Sequence, residues 1–164
     1  MKEKILEAFR ELGFKLEEEE GMGYRFKYEG LNLLYMYNEN DEEFLNIALP
    51  GIVEVEDDKM LQICALLEKI NSTLKYIKAY MLGNSVWLFY ERELIEQREQ
   101  SRTCSDLMTV ISRMILHLEA GLSFARKAMA EIEETMANDS SADGTAESAE
   151  EIVTEEIADD EDNE

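Results

Sequence analysis

From Leu107 to Ile132 one stripe of apolar residues falls at positions 107, 111, 114, 118, 122, 125, 129 and 132. Steps of three and four repeated over that distance trace one face of a long α-helix, and no strand carries such a period. Thr103 or Ser105 can cap it, and Asp106 suits its first turn. From 103 to 134 the helix would measure about 48 Å at 1.5 Å per residue. A folded body of 137 residues has a radius of gyration of about 14 Å and is roughly 35–40 Å across. The helix therefore overruns its own domain, or a partner covers its far end.

The rest of the chain must pack against that stripe. Ile5, Leu6, Phe9 and Leu12 share one face of a short helix, and Gly13 ends it. Phe14 and Leu16 alternate with charges in a short extended lead-in. Tyr24, Phe26 and Tyr28 alternate with Arg25, Lys27 and Glu29, the pattern of a half-buried strand. Glu29-Gly30 is a tight turn, and Leu31 to Tyr37 is apolar almost throughout, as in a central strand covered on both faces. Phe44 to Leu49 is a third strand, which Pro50 should end because it cannot donate to the ladder. Asp57 or Asp58 can cap a helix whose stripe is Met60, Ile63, Leu67, Ile70 and Leu74. Gly83-Asn84 then joins two strands, Tyr76 to Leu82 and Ser85 to Glu91, as a hairpin. Charged Glu91 to Arg102 leads to the last helix. The expected class is α+β: an antiparallel five-stranded sheet in the order α-β-β-β-α-β-β-α, with the long C-terminal helix packed on it.

Charge divides the chain. The formal net charge is −22, and residues 138–164 hold 12 of the 38 acids and none of the 16 bases. The body, 1–137, keeps 26 acids against 16 bases, a net −10. A tail so acidic and so poor in apolar groups cannot offset its chain entropy, and 138–164 is expected to be disordered. Nucleic acid is excluded as a general partner, because counterion release needs clustered Lys and Arg. An anionic membrane surface is disfavoured for the same reason. No uninterrupted run of 18 apolar residues exists and the N-terminus lacks a leader's apolar core, so neither a span nor a leader is expected. Cys64 and Cys104 lack CxxC spacing and are expected as unpaired thiols packed against the core. A cytoplasmic protein is the expectation.

No reaction is legible. His117, the single histidine, has no nucleophile or orienting group marked in the sequence, and a structural or surface role is expected. An enzyme with an unrecognised acid/His site is the remote alternative. Gly21-Met22-Gly23 lacks any phosphate-loop pattern and is expected as a flexible turn. Asn38 to Glu43 and Asp159 to Glu164 are rich in oxygen donors but lack calcium-loop spacing. No catalytic, cofactor-binding or metal residue is assigned. The tail is expected as a solubilising brush; a dock for a basic partner, or autoinhibition through Ile152, Val153 and Ile157, are its other readings.

The element order resembles the type III secretion chaperone-like fold, and within it the YbjN-type bacterial domain. The best local match is Ile70-Asn71-Ser72-Thr73 leading into Tyr76-Ile77-Lys78-Ala79-Tyr80, followed by the stripe from Leu107 to Leu118. The resemblance covers about residues 1–135. It implies an acidic homodimer that binds a partner or client segment, without catalytic residues. A sensory-transduction-type regulator in a signalling or stress pathway is the alternative. The residues point the same way: the sheet carries more aromatics than helices on one side can cover. Tyr80, Trp87, Phe89, Leu118 and Leu122 are the expected partner-binding residues, acting through the sheet face and last helix.

Overall fold

The computed structural model describes residues 1–94 and 103–155, the side chains of 140–155 excepted. Alternation becomes strand wherever a wet and a dry face are both needed. The elements are α1 (Lys2–Glu11), β1 (Glu17–Glu19), β2 (Gly23–Tyr28), β3 (Leu31–Met36), β4 (Phe44–Glu54), α2 (Met60–Thr73), β5 (Ile77–Leu82), β6 (Ser85–Glu93) and α3 (Cys104–Glu155). The sheet order is β1-β2-β3-β4-β6-β5, antiparallel throughout.

The α+β class and the helix-on-sheet packing agree with the sequence; the strand count does not. The described residues form six strands, because Glu17–Glu19 pairs with Gly23–Arg25 despite carrying no apolar side chain. Backbone groups on the outer edge of β2 need partners, and an all-glutamate segment can supply them. A 3-10 turn at Asp57–Lys59 adds a fourth helical element. Asp57 and Asp58 form that turn rather than capping α2. Pro50 does not end β4, which runs on to Glu54 across an irregularity between Leu49 and Val53. A bulge is where a strand tolerates a residue without an N–H.

The expected turns are present. Glu29 and Gly30 both have positive φ, 45° and 83°, as a type I′ hairpin requires. Leu82 pairs with Ser85 across Gly83-Asn84. Gly23 is no flexible turn: it opens β2 at φ +135°, and a Cβ there would run into the Tyr35 carbonyl. Thr103 caps α3, its Oγ1 accepting the Asp106 N–H at 3.2 Å while the Asp106 carboxylate accepts the Thr103 N–H at 3.0 Å.

One cluster forms the main core. It joins Ile5, Phe9, Phe26, Tyr35, Ile47, Ile63, Ile70, Leu88, Leu107, Ile111, Leu118 and Leu122 with their neighbours, so α1, α2 and α3 all lie on one face of the sheet. Cys64 departs from expectation: it is exposed on α2, where Ile63, Leu66 and Ile70 take the buried positions. Burial along α3 persists to Ala128 and continues through half-buried Met129, Ile132 and Met136. The helix does not break at 137. Its 52 residues correspond to about 78 Å. Residues 156–164 of the acidic tail lie outside the described residues, as do 95–102 of the charged connection.

Averaged over 18 residues, α3 reaches the length and apolarity of a membrane span, which a search for uninterrupted apolar runs misses. Its stripe is the one packed on the sheet, and a core helix passes that test equally.

Candidate partner-binding surface

Strand alternation sends half of each strand's side chains to the face without helices. Register then assembles them. One row crosses five strands: Arg25 on β2 is opposite Leu34, Leu34 opposite Ala48, Ala48 opposite Phe89, and Phe89 opposite Lys78. The row is apolar in its centre and charged at its flanks, with Lys78 at one end and Arg25 followed by Glu17 of β1 at the other. Leu34, Ala48 and Phe89 are buried as a separate cluster, with Met36 and Trp87 packed on it. No described helix residue belongs to that cluster.

What covers Phe89 is other aromatic rings. Tyr80 lies flat on it, centroids 4.0 Å apart and planes 1° from parallel. Trp87 stacks at 6.0 Å and 15°, its indole N–H donating to Ser85 Oγ at 3.0 Å. Tyr80 remains 42% exposed, so the stack presents a flat apolar ring to solvent. Burial in the stack raises the Tyr80 pKa, and the nearby Glu91 carboxylate adds to the rise. Glu91 holds Lys78 in an ion pair and a hydrogen bond that raises the lysine pKa. Arg25 is paired with Glu19 on β1. A groove of about 770 Å³ lies beside the stack, lined by Glu20, Met22, Arg25, Leu34, Pro50 and Trp87 among others.

The five candidate residues separate. Tyr80, Trp87 and Phe89 come together on the open face. Leu118 and Leu122 are buried, at 0% and 7% exposure, on the helix side of the sheet. Among the described residues, surface formed jointly by the sheet face and α3 is therefore absent: the two lie on opposite sides of the sheet. Sequence reasoning passed over Leu34 and the β1 glutamates; their parity relative to Phe89 becomes visible only with the register.

His117 is exposed, with its ring 5.7 Å from Tyr76 and 5.6 Å from Tyr90. Its ring neighbours are aromatic, not acidic. Among the described residues no three His, Cys, Asp or Glu are grouped to hold a metal ion.

No family model and no curated protein matches the chain. Among solved structures, it is similar to the crystal structure of YbjN, described as a putative transcription regulator from E. coli. The TM-score is 0.57 with 13% identity, over 77% of this chain and 92% of that one. At that identity the likeness shows a YbjN-like fold and extends no further.

Proposed function

We propose that the protein is a non-enzymatic binding module of chaperone-like or regulatory type, acting in the cytoplasm as a homodimer. It holds a segment of a protein partner against the open sheet face. The observation that carries this reading is the exposed Tyr80 ring on buried Phe89, beside a groove, on a face that no described helix covers. Exposed aromatics over a packed base are the usual anchors of protein interfaces. The secretion-chaperone likeness supports the same reading as an expectation from element order. A second version, a regulator in a signalling pathway, is favoured by the description of YbjN; it differs in the consequence of binding, not in the surface used.

A photocrosslinking side chain at position 80 tests the reading, with Leu61, 70% exposed on α2, as the control position. A defined partner should crosslink from 80 and not from 61, and Trp87→Ala should abolish it. Identical products from both positions would remove the proposed surface. A strict monomer in light scattering would remove the dimer.

A further inference from the structure

The two edges of the sheet differ, and among the described residues the Asn71 side chain is what bonds the outward backbone of β5. Ala79 sits at the middle of β5. Its N–H donates to Asn71 Oδ1 at 2.8 Å, and its carbonyl accepts from Asn71 Nδ2 at 2.9 Å. A backbone residue engaged on both groups by a side chain is turned away from its neighbour strand. Ala79 and Leu88 are therefore a non-hydrogen-bonded pair, and by alternation Ile77 and Met81 also direct their backbone outward. The Asn71 amide offers one donor and one acceptor, the same complement a neighbouring strand would present.

β5 suits self-pairing. Its sequence, Ile-Lys-Ala-Tyr-Met-Leu, has one charge. Two copies paired antiparallel about Ala79 would set Ile77 opposite Met81 and Lys78 opposite Tyr80. That arrangement matches apolar with apolar and a cation with an aromatic ring, with no like charges facing. Self-pairing of β1 would instead oppose Glu17 with Glu19 and Glu18 with itself. Like charges blunt that edge; the single charge of β5, Lys78, would meet none of its own sign.

We infer that the β5 edge is a latent strand-pairing site for a second copy of this chain, held closed by the Asn71 amide. Removing the amide frees both Ala79 groups and lets two sheets join edge to edge.

Two measurements test this. In the wild-type protein, hydrogen exchange of the Ala79 amide should be at least about tenfold slower than that of Met81, its outward-facing neighbour; equal rates would overturn the inference. In light scattering, Asn71→Ala should give a concentration-dependent doubling of mass over the wild-type particle, and Asn71→Ala with Met81→Lys should reverse it by setting a charge against apolar Ile77 on the paired edge. A folded Asn71→Ala protein with wild-type mass at every concentration would overturn the inference, as would doubling that Met81→Lys leaves intact. The exchange measurement needs no variant, so it can overturn the inference even where Asn71→Ala fails to fold.

Discussion

The two faces of this sheet are built by the same strands and differ in what covers them. On the inner face, Leu33, Tyr35, Leu45, Ile47, Leu88 and their neighbours are sealed by three helices into one cluster. On the outer face the alternate residues of the same strands form a much smaller cluster, covered among the described residues by Met36 and by aromatic rings of the same sheet. Apolar content alone does not separate the two. Phe89 is as fully buried as Leu88, yet one is closed by a helix and the other by a tyrosine that remains half in water. The lesson concerns reading a surface: function is sought where burial is local and the cover is thin, not where apolar residues are most numerous.

Substitution on each face gives the sharpest contrast. Leu118→Ala removes a fully buried side chain from beneath α3 and should cost about 2–5 kcal/mol in urea denaturation, the range for such core truncations. Tyr80→Ala removes a ring that is already 42% exposed, and should cost no more than about 1 kcal/mol. The binding effect should run in reverse: Tyr80→Ala loses the partner, while any Leu118→Ala protein that stays folded keeps it. Equal stability losses at both positions would mean that the outer cluster is part of the core, and the comparison would collapse.

Much of this was legible from residue types. Helix and strand periods placed α1, α2, β2, β3, β5, β6 and the start of α3, and the parity that puts Trp87 and Phe89 opposite Val86, Leu88 and Tyr90 needs only counting. Four things were hidden. β1 has no apolar signal, since its role is to close a neighbour's hydrogen bonds. Pro50 reads as a stop unless the register irregularity beside it is known. Grouping Leu118 and Leu122 with Trp87 required knowing which face α3 covers. That depends on how the chain crosses the sheet, and no local pattern encodes it. The Asn71–Ala79 pair was likewise visible only as neighbouring sequence, because side-chain amides carry no period.

Tyrosine ionisation offers a gentler comparison of the two faces without mutation. Tyr35 lies in the inner core, and burial holds its pKa well above the ordinary tyrosine value. Tyr37, just past the end of β3, donates its hydroxyl to Glu42 at 2.7 Å, and that hydrogen bond lifts its pKa to about 12. Tyr80 on the outer face is raised first by burial in its stack. Each shift favours the protonated form in the folded state. The stabilisation it brings is complete below the ordinary tyrosine value near 10, and is lost as pH climbs through the raised folded value. An ultraviolet titration of the folded protein should therefore resolve Tyr35 as the last to ionise, with its step coinciding with alkaline unfolding. Tyr35→Phe should remove that final step, while Tyr37→Phe should remove one near pH 12. Tyr80→Phe should delete an earlier step and leave the unfolding pH unmoved, because a ring closed on one side by Phe89 and open to water on the other can ionise without breaching the core. Should Tyr80 and Tyr35 instead ionise together in one cooperative step, the outer stack would be sealed as tightly as the inner face, and a partner would have no exposed ring to meet.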